Sequence, residues 1–257
     1  MLSLLKIMHL KLAAFLFKYF YFLYQPLYFL FKKQQDAPEI RLYKKYIKNS
    51  DTVIDIGANI GFTAKLFSDL VGTKGKVYAF EPDALNFKRL TQFIHKKKLS
   101  NVIAIKKAVS NSCEPIKLYL SNRLNVDHRA YKVDEYDKVI EIEATTIDEF
   151  VDKNKIDKVN FIKMDIQGYE MTAIQGMQTT LDKNPDIVIL SEFWPEGLKQ
   201  AGSSIEEYYN FLINKGFKVY LINKTSIGIL SPEKLALLNQ YKGDNFENII
   251  FSKKDLI

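Results

Sequence analysis

The stretch TVIDIGANIGFTAKLFSDLVG, residues 52–72, limits the possible folds of this chain more than any other. Its first five residues are mostly β-branched and bounded by turn formers, which predicts a buried strand at 52–56. Gly57 and Gly61 bracket a tight turn, and 61–72 has helical spacing closed by Gly72. A strand that enters a helix through glycines brings bare backbone close to a ligand.

The alternation continues downstream. Strands are expected at 76–82, 101–109, 159–165 and 185–193, with helices at 38–50, 83–99, 168–181 and 204–216. Asp83 is the expected N-cap of the second of these helices. Residues 115–120 and 139–144 alternate like strands, and 146–154 begins a short helix. The chain ends with strands at 217–222 and 248–252 and a helix after Pro232, an arrangement that suggests an antiparallel final hairpin. Repeated β-α units with short turns imply an α/β fold with a mostly parallel sheet covered on both faces. Ligands in such folds bind beyond the carboxyl ends of the central strands.

The unusual residues fall at those ends. Asp55 precedes a G-x-x-x-G turn, whereas a dinucleotide site would show G-x-G-x-x-G. An acid there is poorly matched to a pyrophosphate and suits the amino group of a methionine moiety. A plain strand–helix turn would use the same glycines. Glu81, roughly 20 residues on, can accept hydrogen bonds from both hydroxyls of a ribose. An acid before a helix also favours the helix dipole. Together the two strand ends point to an adenosine cofactor. Lys163, Asp165 and Glu170 surround Gly168 after the fourth strand, where a transferred group would lie. Glu192 and the single tryptophan, Trp194, follow the fifth and can shape a substrate pocket, although core packing also accounts for Trp194. His128 lies in a polar loop, either reaching inward or solvated.

At VIDIGANIGFT, YAFEPD, TIDEF, KMDIQGYE and SEFWPEGLKQAG the chain resembles the FkbM-type family of S-adenosylmethionine-dependent methyltransferases. The resemblance runs from about Val53 to Phe217. It implies a class I methyltransferase (Rossmann-like) fold, S-adenosylmethionine as methyl donor, and an acceptor hydroxyl on a sugar or natural product. It further implies that Asp55, Gly57, Asn59 and Gly61 line the methionine and ribose side. Glu81 would hold the ribose, and Ala108–Val109 would lie near the adenine. Lys163, Asp165 and Glu170 match the motif after strand four, and Glu192 matches the acid of strand five. An alcohol must lose its proton on methylation, so a carboxylate base is expected, Asp165 first and Glu192 second.

Other classes fit less well. An N-methyltransferase would carry a [DN]-P-P-[FY] turn where this chain has DIQG. Nucleic-acid binding would rest on two lysine clusters and the net charge of +7, and is not expected. A non-catalytic binding module on the same fold stays open. Asp165 and Glu192 have no third partner by spacing, so no metal is expected. The single cysteine, Cys113, excludes an intramolecular disulfide and a thiolate zinc cluster.

Residues 12–31, LAAFLFKYFYFLYQPLYFLF, lie outside the resemblance and are flanked by lysines. The run has no small-residue cleavage site and is too aromatic for a signal peptide. Lys18, Gln25 and Pro26 interrupt the ~20 apolar residues a membrane span needs, and a central lysine costs about 2.5–3.5 kcal/mol on insertion scales. An interfacial helix on an anionic membrane is the preferred reading, ahead of a helix packed on the domain or a twin subunit, and of a span. The chain then divides into an apolar segment at 1–35 and a catalytic domain at 36–257. The enzyme would be cytoplasmic and peripheral on the inner membrane face, with a small-molecule, sugar or lipid-linked acceptor. Self-association stays open.

Overall fold

The computed structural model describes residues 12–121, 127–134 and 136–257. Its centre is β1 (Thr52–Ile56), which pairs in parallel with β2 (Lys76–Phe80) on one side and β8 (Phe161–Met164) on the other. β3 (Val102–Ile105) extends the sheet beyond β2, and β9 (Val188–Phe193) extends it beyond β8, again in parallel. The far edge holds β10 (Lys218–Ile222), β11 (Ile227–Ile229) and β12 (Glu247–Ser252). The eight strands run in the order β11-β10-β12-β9-β8-β1-β2-β3. β12 is antiparallel to both β9 and β10, so the antiparallel element expected at the C-terminus sits inside the sheet.

Apolar residues on both faces of the central strands explain why the sheet is covered twice. Val53, Phe161 and Leu190 face one core, while Ile54, Ile56, Ile162, Met164 and Ile189 face the other. The first core is closed by α2 (Ala37–Tyr46), α3 (Phe62–Val71) and α4 (Ala84–Lys97). Asp83 caps α4 as expected, accepting from the Leu85 and Asn86 amides at 3.0 and 2.8 Å. The second core is closed by α5 (Ile147–Lys153), α6 (Glu170–Gln175), α7 (Gln178–Lys183), α8 (Pro195–Gln200), α9 (Ile205–Asn214) and α10 (Pro232–Leu238).

Two elements differ from expectation. The strand expected over 101–109 ends at Ile105. β4 (Ala108–Val109) turns away to pair with β7 (Ala144–Thr145) in a separate small sheet. The Lys107–Glu143 ion pair at 3.2 Å and the Ala108 amide bond to Glu143 O fix that departure. The helix expected over 168–181 is broken at Gly176–Met177. The Asp148 carboxylate caps α7 through the Thr179 and Thr180 amides, and the Asp148 amide donates to Gly176 O. A second small sheet, β5 (Ile116–Leu120) with β6 (Lys138–Ile142), carries the loop that holds His128 and Arg129.

The N-terminal segment is helical at 12–19 and in α1 (Tyr21–Gln35). One face packs on the domain: Phe29 meets Phe62 and Phe93 edge-on at 5.4 and 5.0 Å, and Phe17 and Tyr24 cluster with Ile60. The opposite face is open, with Phe22 72%, Leu27 57%, Leu30 58% and Phe31 59% exposed. Among the described residues no helix is long and apolar enough to cross a membrane.

Candidate active site

A cleft of about 600 Å³ opens across the carboxyl ends of β1, β2, β8 and β9. Its floor on the β1–β2 side is the glycine turn. The Gly57 and Ala58 amides both donate to Phe80 O, at 3.0 and 2.9 Å, which ties the turn to the end of β2. Gly57 has φ +82°, and a Cβ there would lie 2.1 Å from Asp165 O. The β1 and β8 loops therefore touch backbone to backbone, and only glycine permits that approach.

Glu81 anchors the same turn. Its Oε2 accepts from the Asn59 amide at 2.8 Å, and its Oε1 accepts from the Asp83 amide at 3.0 Å. A carboxylate has about four lone-pair sites; the Asn86 side chain takes a third, which leaves one for a ligand hydroxyl. Burial pushes the Glu81 carboxyl up to about 7, against the pull of those amides. Ala108 and Val109 line the neighbouring wall with Phe80 and Leu118.

The expected donor-side residues divide into two groups. Gly57, Asn59, Glu81, Ala108 and Val109 line the cleft. Asp55 and Gly61 do not. Asp55 has no exposed surface, accepts from Thr63 Oγ1 at 2.6 Å, and lies 3.6 Å from Lys163 Nζ. It is a buried counter-ion behind the turn, not a direct contact for a methionine amino group. Gly61 is the N-cap of α3 and faces Leu90 and Phe93.

The β8–β9 side carries the charged residues. Lys163 donates to Gly57 O at 3.1 Å and stands 3.6 Å from both Asp55 and Asp165. Burial alone would discharge this lysine, but Asp165 and Asp55 outweigh it and hold its pKa above the ordinary value. The Asp165 side chain is 39% exposed. Burial would raise its pKa, yet Lys163, Lys32 and the Gln167 amide together keep it below the usual carboxylate range. Glu192 is the opposite case: burial, with Asp165 and Glu170 nearby, pushes it well above that range. Gln167 joins the two, its Nε2 donating to Asp165 Oδ1 at 3.0 Å and Glu192 Oε2 at 3.4 Å. Within the pair, the surroundings favour the charge on Asp165 and the proton on Glu192.

Glu170 does not reach the cleft. It is fully buried, its Oε1 accepts from the Ile166 amide at 2.9 Å, and burial pushes its carboxyl up to about 7. Its place is under the β8 loop, which it holds in shape. Trp194 is both packed and at the cleft. It is 6% exposed, donates from Nε1 to Gly243 O at 2.6 Å, and presents its ring to the Arg129 guanidinium at 4.6 Å on the cleft wall. His128 reaches inward and lines the cleft, with Nδ1 accepting from the Ser121 amide at 3.1 Å. Burial lowers its pKa, so the ring is neutral.

Sequence reasoning missed Gln167, Arg129 and the α1–α2 residues Tyr28, Lys32 and Glu39, which also line the cleft. Gln167 was visible inside KMDIQGYE, between the two acids. Lys32 and Asp36 stand at i,i+4 spacing and pair at 2.8 Å, a signal that the apolar run beside them obscured.

The sequence model of the family described as "Methyltransferase FkbM domain" matches residues 55–219. The hexuronic acid methyltransferase AglP of Haloferax volcanii is 29% identical over 157 residues, 61% of this chain and 61% of that protein. The chain therefore aligns with less than two thirds of that relative's length. A methyltransferase FkbM structure from Methylobacillus flagellatus KT superposes with a TM-score of 0.50 at 16% identity, covering 89% of this chain and 54% of that one. A Clostridium thermocellum protein described as an rRNA methylase gives 0.51 at 14% identity, covering 84% and 93%. At these identities the two structures establish the fold alone, a class I methyltransferase.

The residues present fit the donor that this family uses. The lone pair left on Glu81 suits a ribose hydroxyl, the bare turn at Gly57–Ala58 admits the chain of the amino acid, and Ala108–Val109 give an apolar seat for a base. When bound, S-adenosylmethionine supplies a methyl group already activated on a sulfonium. Because a ribose hydroxyl donates to the ionised form of Glu81, binding below pH 7 must first expel a proton. Affinity for S-adenosylhomocysteine should fall up to tenfold per unit as pH drops from 7 to 6, read by calorimetry; a flat profile would sink this assignment. The chain belongs to the FkbM methyltransferase family, and its cofactor is S-adenosylmethionine.

Proposed function

We propose that this chain is an S-adenosylmethionine-dependent O-methyltransferase whose acceptor is a hydroxyl of a sugar, glycan or glycolipid precursor. The observation that carries this reading is the Asp165–Gln167–Glu192 arrangement at the cleft, two carboxyls bridged by an amide, the first with its pKa lowered and the second with its pKa raised. Asp165 takes the acceptor's hydroxyl proton as the oxygen becomes nucleophilic. Lys163 keeps Asp165 ionised, and its bond to Gly57 O holds the β8 loop against the donor turn. Gln167 fixes the direction of the carboxylate. Glu192, biased by burial toward its protonated form, offers an acceptor oxygen a hydrogen bond and resists a second negative charge. The remaining requirement is positional: the acceptor oxygen must sit about 3–3.5 Å from the donor carbon. The name of the Haloferax volcanii relative supports a sugar as the acceptor class.

The direct test supplies S-adenosylmethionine with a labelled methyl group to the full chain together with a glycan and glycolipid extract. Label recovered as a methyl ether after hydrolysis is the expected result. Label on nitrogen only, or no transfer by a chain that binds the donor, would refute the reading.

The reading includes a place of work. The open face of α1 presents Phe22, Leu23, Leu27, Leu30 and Phe31, with exposed Lys18 ahead of the helix and exposed Lys33 in its last turn. An apolar band bordered by lysines on a chain of net charge +7 matches an anionic lipid surface. The same helix walls the cleft with Tyr28 and Lys32, so an acceptor held in the membrane would meet the site directly. Replacing Phe22, Leu27 and Leu30 together by serine should cut co-sedimentation with phosphatidylglycerol vesicles at least tenfold and leave donor affinity intact. Unchanged sedimentation, or wild-type chain that self-associates and ignores vesicles, would count against this surface.

A further inference from the structure

The acceptor end of the cleft is built in part by segments outside residues 55–219, the part matched by the family model. Lys32 and Glu39 of α1 and α2 stand there together with Asn248 of β12. Asn248 is the register partner of Glu192, so it sits one strand beyond the Asp165–Glu192 pair at the same end of the sheet. Its Nδ2 donates to Glu39 Oε1 at 2.7 Å. Glu39 is 9% exposed, and its second oxygen, Oε2, has no hydrogen-bond partner. A buried carboxyl oxygen left unpaired costs about 1–3 kcal/mol, and a ligand hydroxyl that reached it would remove that cost.

The cations around the cleft are all engaged. Among the described residues that line it, Lys32 pairs with Asp36 at 2.8 Å, Lys107 with Glu143 at 3.2 Å, Arg129 with Asp127, and Lys163 with Asp55 and Asp165 at 3.6 Å. A negatively charged ligand would have to break one of these pairs and also lie beside the ionised Asp165. Both steps are expensive in a site of low dielectric. Burial raises the pKa of Glu39, as it does that of Glu192, which disfavours further negative charge there, and the acceptor end also offers an amide and the rings of Phe31, Trp194 and Phe246. Flat apolar faces with a few placed hydrogen-bonding groups suit an uncharged ring rich in hydroxyls.

Resting on the O-methyltransferase reading above, we infer that Glu39 and Asn248 form an acceptor subsite for a neutral hexopyranoside, and that this chain discriminates against the uronic acids named for its Haloferax volcanii relative.

The test is ligand-observed NMR of the methyl glycosides of glucose, galactose and mannose, each beside its own uronide, on full chain saturated with S-adenosylhomocysteine. At least one neutral glycoside should bind tenfold or more tighter than its uronide. Glu39→Ala should weaken that binding fivefold or more, Glu39→Gln should restore most of it, and affinity for S-adenosylhomocysteine should be the same in all three proteins. Uronides that bind as well as the neutral rings, no binding by any neutral ring, or an unchanged Glu39→Ala protein would each overturn the subsite. Transfer is scored separately with S-adenosylmethionine. A neutral glycoside that binds through Glu39 but is never methylated would defeat the O-methyltransferase reading and leave the subsite standing.

Discussion

Asp165→Asn lowers methyl transfer by about 10²–10⁴-fold, the range for loss of a positioned general base, while affinity for S-adenosylhomocysteine stays within about threefold. The substitution keeps the volume of the side chain and can keep the Gln167 Nε2 bond to Oδ1. It removes the negative charge 3.6 Å from Lys163, whose pKa is raised first by Asp165. Lys163 then has Asp55 as its remaining carboxylate partner, and its grip on Gly57 O persists. The donor turn is therefore preserved and the proton acceptor lost. Single-turnover rates at saturating donor measure the effect. A rate within threefold of wild type would move the base elsewhere, and Glu192→Gln would then be the variant to make. Because Asp165 is held below the usual carboxylate range, its ionisation should not limit the rate anywhere between pH 6 and 8.

The largest expected effect on folding comes from Gly57→Ala. A non-glycine residue in the left-handed region costs about 1–3 kcal/mol. The new methyl would also stand 2.1 Å from Asp165 O, a backbone atom that a rotamer change cannot move. Forcing apart packed groups costs about 1–3 kcal/mol more. A destabilisation of about 2–6 kcal/mol is expected from denaturant titration. Donor binding should also fail, because the β8 loop that must yield carries Asp165. A variant within 1 kcal/mol of wild type with normal donor binding would show that the two loops do not meet as described.

Much of this site was legible in the sequence because strand ends and turns are local. TVIDIG predicts both the strand and the glycine that follows it, and EPD predicts the Glu81 anchor and the Asp83 cap, each satisfied within a few residues of chain. Asp55 was misplaced for a reason that period two could have caught. It shares a face with Val53, which packs under α3, so its side chain meets Thr63 and Lys163 behind the turn. Glu170 was misplaced because a residue that opens a helix can turn back to the preceding loop, as its bond to the Ile166 amide shows. The departure of β4 and the break between α6 and α7 depend on partners distant in sequence, Glu143 and Asp148. The part played by α1 was hidden by its aromatic composition, which suits a lipid surface and a protein surface alike. Its two faces separate only when Phe29 is seen on Phe62 and Phe93.

The most direct test of the account is calorimetric titration of S-adenosylmethionine and S-adenosylhomocysteine, with NAD as control, into wild-type chain and Glu81→Ala. Charge-assisted hydrogen bonds contribute about 1.5–3 kcal/mol each, so losing the carboxylate should weaken binding by about 10²-fold or more. Micromolar binding of both ligands to the wild type, no binding of NAD, and that loss in a folded Glu81→Ala protein are the predicted results. Tight binding that survives the substitution, or a folded wild type that binds neither ligand, would contradict the assignment of this cleft to the methyl donor.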